Sequence, residues 1–250
     1  MGYSFAGDVL KEFYSWKKND PTMKNYERLI NEGKDVWKNA NLAAERAGRQ
    51  MSQILELYAP NRYVTLEEMQ EATRAGYKAL YDYTARLGGT AQRLTNEAAD
   101  IHMNVKMPRI DDSRINGLMD QLEEDYAHKS LEDSGVFNKG VGENIGKTGV
   151  NDVIDYNSRI QRRAGFIPLM RRRTDGSCCK WCSSMADGKW YKRGEEPADF
   201  WRFHVNCTCW IDYKVGKEID VVSFYKNTNK TKAHKGENRK STKTSVLDDE

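Results

Sequence analysis

Residues 134–149 read "SGVFNKGVGENIGKTG", and how this stretch is read divides the chain. Its end suggests a phosphate-binding loop, which needs Gly, four residues, then Gly-Lys-Ser/Thr, so that backbone amides wrap the phosphates. Counting back from Gly146-Lys147-Thr148, the required glycine falls on Val141, with Gly140 and Gly142 flanking it. No apolar strand leads in, and such a strand is part of the mechanism. Nucleotide binding is rejected, and the composition predicts a flexible linker. It separates a helical domain, residues 1–133, from a cysteine-rich module, residues 150–225, with a basic disordered tail at 226–250.

Upstream, apolar and small residues recur in steps of three and four from Tyr26 to Tyr58: Leu29, Ile30, Gly33, Val36, Trp37, Ala40, Ala44, Ala47, Met51, Ile54 and Leu55. The spacing predicts one amphipathic helix ended by Pro60 and about 50 Å long. Thr65 and Glu68 have capping-box spacing and start a second stripe that runs to Leu87, where Gly88-Gly89 stops it. A short connection makes the two an antiparallel hairpin. A weaker helix over Ala91 to about Met103 and another from Asp112 or Ser113 complete this half.

Downstream, Val153, Tyr156 and Ile160 predict a short helix to about Arg163. "FIPLMRRR" reads as a strand that Pro168 confines to a sheet edge or interrupts. In "CWIDYKV" Cys209, Ile211, Tyr213 and Val215 share one face. The expected fold class is therefore α+β: a mainly helical N-terminal half, a long helical hairpin plus shorter helices, and a small cysteine-rich α+β C-terminal module.

The 250 residues are 38% hydrophobic and 31% charged, with a net charge of +3. No window approaches eighteen uninterrupted apolar residues, so no helix is expected to span a membrane. The start lacks the basic head, apolar run and cleavage site of a secretory signal, which makes a reducing cytosol the expected site of synthesis. There, clustered cysteines are more often metal ligands or catalytic groups than disulfides.

All five cysteines lie in "GSCCKWCSS" and "FHVNCTCW". Cys179 and Cys182 form C-x-x-C, and Cys207 and Cys209 form C-x-C at a strand start. His204 stands three residues before Cys207. Two ligand pairs separated by a loop are the layout of a structural zinc site. Cys179, Cys182, Cys207 and Cys209 are the first choice of ligands, with His204 replacing one cysteine as the main variant. Disulfide or mixed thiol chemistry and plain packing are the alternatives. A thioredoxin-type redox pair lacks its βαβ setting. A zinc deaminase needs H-x-E ahead of P-C-x-x-C, whereas here the histidine follows. His102, His128 and His234 show no partner pattern, so no catalytic constellation is found and no small-molecule substrate is expected.

The order "CCKWCSSMADGKWY…PADFWRFHVNCTCWIDY" resembles the C-terminal module of phage minor capsid, or head-morphogenesis, proteins of the MuF-like family. The residues that carry the resemblance are Cys179, Trp181, Cys182, Gly188, Trp190, Tyr191, Pro197, Arg202, His204, Asn206, Cys207, Cys209 and Tyr213, within a match from Ser158 to Lys217. Phe203 and Val205 depart from the family's pattern. The resemblance implies a non-enzymatic, low-copy protein of the virion, made in the host cytoplasm and held near the portal on the inner capsid surface. Its implied partners are the portal and major capsid proteins.

Between Lys226 and Thr244 the tail carries Lys230, Lys232, Lys235, Arg239, Lys240 and Lys243 against Glu237 alone. These six cations are candidate contacts to packaged DNA, although the composition favours a merely solubilising tail. Two other classes of function stay open on sequence: a zinc-stabilised nucleic-acid-binding protein, supported by the tail and "QRRAGFIPLMRRR", and a metal-dependent nuclease or toxin.

Overall fold

A computed structural model describes residues 4–59, 64–128, 130, 133–204 and 207–216. The order is α1 (Phe5–Asn19), α2 (Pro21–Asn31), α3 (Val36–Tyr58), α4 (Leu66–Ala98), α5 (Asp112–His128), a 3₁₀ turn (Gly135–Phe137), α6 (Lys139–Arg163), β1 (Ile167–Arg173), α7 (Lys180–Met185), β2 (Tyr191–Lys192) and β3 (Trp210–Gly216). The strands form one antiparallel sheet in the order β2-β1-β3. The fold is mainly helical with a small sheet and a cysteine cluster near the C-terminal end, the α+β class expected.

The predicted helix over 26–58 is two helices. Gly33 adopts φ 74° just past α2, while Lys34 N donates to Leu29 O and Gly33 N to Ile30 O, both at 2.9 Å. This is a Schellman closure, which glycine enters without the clash a Cβ would bring. Asp35 follows at φ 42° and α3 starts afresh. The apolar stripe continues in phase across the break, so its period could not reveal it.

The second correction runs the other way. α4 continues through Gly88-Gly89 to Ala98 and absorbs most of the separate helix expected over 91–103. Its start is as expected: Thr65 Oγ1 accepts from Glu68 N at 3.2 Å, and Thr65 N donates back to Glu68 Oε2 at 2.9 Å. Gly88 does not end a helix. It marks a close approach, since a Cβ there would lie 3.1 Å from both Cα and O of Val150 on α6.

The third correction is the largest. The stretch expected to be a flexible linker, 134–149, is the 3₁₀ turn and the first three turns of α6, begun by Asn138, whose side chain accepts from Gly140 N at 2.9 Å. α6 lies against both α3 and α4. Gly142, Gly146 and Gly149 form a stripe at i, i+4 and i+7. A Cβ on Gly142 would collide with the carbonyl of Gly48, one on Gly146 with that of Ala44, and one on Gly149 with Thr84 Oγ1. Glycine is present here because the helix backbones touch, and Ala40, Ala44 and Ala47 keep the facing side of α3 equally slim.

The division at 149/150 therefore falls inside one helix, and a single hydrophobic cluster runs from Val9 on α1 through Met51 and Ile154 to Ile211 and Val215 on β3. The sheet is anchored through Tyr213, whose ring meets Trp37 edge-on at 5.7 Å and whose hydroxyl donates to Gln161 Oε1. Gln161 Nε2 in turn donates to Asn96 Oδ1 at 2.7 Å. The helical half and the cysteine-rich module share one core.

β1 is the central strand, not an edge. Pro168 is tolerated because N and O of one strand residue point to the same side. Pro168 O accepts from Arg193 N at 3.1 Å on the β2 side, where β2 has already ended. The missing N–H thus breaks no bond to β3. β3 buries Ile211, Tyr213 and Val215 as the alternation predicted. Residues 217–250, and with them the candidate DNA contacts Lys230, Lys232, Lys235, Arg239, Lys240 and Lys243, lie outside the described residues, as do Val205 and Asn206.

Candidate metal centre

The chain leaves β1 at Arg173 and turns through Asp175, whose carboxylate accepts from Ser177 N at 2.9 Å and Ser177 Oγ at 2.7 Å. That turn delivers Cys179 to the N-cap of α7, where its Sγ accepts from Cys182 N at 3.4 Å. A capping sulfur and the side chain one turn on converge, which is the physical content of the C-x-x-C spacing. After β2 the chain returns to His204, and Cys207 N donates to His204 O at 3.2 Å. This turn sets Cys207 and Cys209 against the first pair.

His204 Nε2 stands 3.2 Å from Cys179 Sγ and 3.0 Å from Cys182 Sγ. Cys182 Sγ lies 3.4 Å from Cys207 Sγ. The donors fall into two groups, Cys179/Cys182/His204 and Cys182/Cys207/Cys209, with all donor atoms of each group within 4.8 Å of one another. Cys182 belongs to both. Ligands of a tetrahedral ion bonded at 2.0–2.3 Å sit about 3.5–3.8 Å apart, so these soft donors, gathered slightly closer than that, could hold a metal ion. The four-cysteine set preferred on spacing is not one mutual group: Cys179 is grouped with His204, and Cys209 with Cys207. Cys178, by contrast, points to Ser183 Oγ at 3.3 Å and joins neither group. All five cysteines are unpaired thiols, so the disulfide alternative is not the arrangement seen.

The thiols differ in acidity. Cys209 hydrogen-bonds to Cys207 and, with a lesser pull from the Arg172 charge, holds the Cys207 thiol down to about 4. Cys209 is raised by the same hydrogen bond and by burial. Burial, reinforced by Cys207, pushes Cys182 up to about 12. Cys179 is exposed and shifts down, first through the backbone N–H of Cys182.

Sequence reading missed two residues of this centre. Arg172, on β1, is 1% exposed. One of its guanidinium nitrogens, Nη1, donates to the carbonyls of Phe200 (3.2 Å) and Arg202 (2.8 Å), and the other, Nη2, lies 3.7 Å from both Cys182 Sγ and Cys207 Sγ. The faces of Phe203 and Trp181 enclose it at 4.3 and 5.1 Å. No carboxylate pairs with it among the described residues. A buried cation is costly unless anionic charge balances it, and the Cys207 thiolate is the anion at hand. Strand parity could have found it, since Pro168, Met170 and Arg172 alternate inward. Lys147, 3% exposed, pairs with Glu45 Oε2 at 2.9 Å and donates to the Cys207 carbonyl. It ties the ligand loop to α3 and α6, and its placement in a supposed linker concealed it.

The other described histidines lie apart. His102 is exposed beside Asp100 at 3.4 Å, and His128 ends α5. His234 is outside the described residues. No described helix is long and apolar enough to cross a membrane. Scans of the chain against family models, curated proteins and solved structures return no match in any of the three.

Proposed function

We propose that the cysteine-histidine cluster is a structural zinc site, and that the protein is a non-enzymatic minor capsid protein of a tailed phage, acting in head morphogenesis. The observation that carries the first part is that two donor groups, Cys179/Cys182/His204 and Cys182/Cys207/Cys209, share Cys182 beside the buried Arg172; in this reading Cys179, Cys182, His204 and Cys207 hold the ion. Three thiolates and an imidazole on a divalent ion leave one net negative charge, which one guanidinium offsets. In this reading Cys209 stands behind Cys207 as a hydrogen-bonding neighbour. Zinc supplies folding free energy here and no chemistry, because the ligands close the tetrahedron.

The second part rests on the sequence resemblance to MuF-like proteins. Six of the thirteen residues that carry it, Cys179, Trp181, Cys182, His204, Cys207 and Cys209, lie at this centre. Trp181 packs 6.1 Å from the His204 ring, and Tyr213 anchors the strand that follows the last cysteine. The proposed partners are the portal and the inner surface of the major capsid protein, in the virion and at low copy. Mass spectrometry of purified particles tests this. The protein should be present at a few copies per portal, and its absence from intact heads would refute the capsid assignment while leaving the zinc site untouched.

A further inference from the structure

The outer face of the sheet carries a feature that neither the zinc site nor the capsid assignment uses. The inner face, Pro168, Met170, Arg172, Ile211, Tyr213 and Val215, is buried. The opposite face is basic. Leu169 pairs with Lys192 on one side and Lys214 on the other, so both lysines stand in one row across the sheet, about 10 Å apart. Arg171 and Arg173 follow along β1, about 7 Å apart. Arg173, Lys192 and Lys214 are exposed. Asp212 is the acidic residue of this face, and it is already paired with Arg171 at 2.8 Å. The indole of Trp190 holds the cations in place, with Lys214 Nζ 4.2 Å and the Arg171 guanidinium 4.4 Å from its ring centroid.

We infer that this face, built on Arg171, Arg173, Lys192 and Lys214, binds the phosphate backbone of double-stranded DNA. Charge complementarity selects a polyanion, and fixed cations at strand spacing suit a regular row of phosphates. The accessible indole is occupied by Lys214 and Arg171, so the face offers charge where single-strand binders offer free aromatic platforms. Where the chain goes next supports the same ligand. β3 ends at Gly216, and the run of cations from Lys226 to Lys243 begins ten residues later. Binding should be independent of base sequence, since nothing on this face is arranged to read base edges.

The test uses the full chain and a labelled 30-base-pair duplex of arbitrary sequence, with affinity measured across a potassium chloride series. The parent should bind at low salt with log affinity falling linearly in log salt. Replacing Arg173, Lys192 and Lys214 together by Gln should weaken low-salt binding at least tenfold and flatten the slope by roughly 2–3, near 0.9 per lost phosphate contact. Replacing Lys230, Lys232, Lys235, Arg239, Lys240 and Lys243 by Gln should leave that face-dependent share in place. In the unmodified protein, duplex DNA should shield Lys192 and Lys214 from an amine-acetylating reagent. Unchanged slope and affinity in the face variant, or acetylation of both lysines undiminished by DNA, would overturn the inference. So would single-stranded DNA or polyglutamate of matched charge displacing the duplex at equal concentration, the latter assigning the face to an acidic polypeptide.

Discussion

Arg172 Nη2 and Cys207 Sγ lie 3.7 Å apart in the interior, with no carboxylate beside either among the described residues. A strand residue thereby becomes part of the ligand environment of a loop thirty-five positions later. The pair explains how a cation is kept in the core, and the guanidinium adds a lesser pull to the Cys209 hydrogen bond that chiefly makes the Cys207 thiol acidic.

Replacing Arg172 by Gln should therefore act on metal binding as well as on folding. Outer partners of metal ligands are typically worth 10–100-fold in affinity, and breaking a buried charge pair costs about 3–5 kcal/mol. Competition with a chromogenic chelator should show a loss in that range, and Arg172→Lys should recover part of it. An Arg172→Gln protein with parental zinc affinity would reduce Arg172 to packing.

The glycine stripe predicts a contrast between two alanine substitutions. Gly142→Ala forces a methyl group into the Gly48 carbonyl and should destabilise by about 1–3 kcal/mol, the usual cost of overpacking. Gly117→Ala, in α5 with open space around it, should stabilise by up to about 1 kcal/mol through helix propensity. Urea denaturation of the two variants separates them, and equal effects would argue against the close α3–α6 contact.

The acid limb of stability should depend on Asp20. Its carboxylate accepts from Arg46 Nε (2.9 Å) and Nη2 (2.6 Å) and from Met23 N (2.8 Å), and these bonds, those from Arg46 first, lower its pKa below the ordinary 3.8. A group lowered on folding contributes stability above its unfolded value and loses it as pH falls through the folded one. The parent should therefore outlast Asp20→Asn above about pH 4, with the gap closing in stronger acid. Melting temperatures of both proteins between pH 2.5 and 7 measure the gap, and a pH-independent difference would remove the charge contribution.

Metal removal should be felt throughout the molecule. Lys147 joins the Cys207 carbonyl to Glu45, and Tyr213 joins β3 to Gln161, so the ligand loop and the helices share supports. A chelator should shift one cooperative transition, followed by helical circular dichroism and by tryptophan fluorescence together. Two separated transitions, with the helical one unmoved, would restore the two-domain division.

What the sequence made legible was what its periods and spacings encode: the fold class, the stripes, the capping box at Thr65 and the two cysteine pairs. It hid features decided by tertiary contact. Glycine in 134–149 reads as freedom when counted by composition, and as contact only when 142, 146 and 149 are seen at helical intervals. Gly33 and Gly88 exchanged roles for the same reason. The first takes a positive φ and ends a helix, while the second meets Val150 and lies within one. The preference among Cys209 and His204 as ligands turned on how the loop from α7 to β3 folds back, which spacing alone does not encode. Arg172 was visible as strand parity, yet a charge on an inward position makes sense only beside the thiols it faces.

The zinc content of reduced, full-length protein is the most direct test of the central claim. Elemental analysis of the parent and of Cys178→Ser should find about one zinc per chain in both, whereas Cys182→Ser, which removes the sulfur common to both donor groups, should bind little or none. Metal-free parent protein with all five thiols reactive, or a Cys182→Ser protein that retains its zinc, would contradict the account.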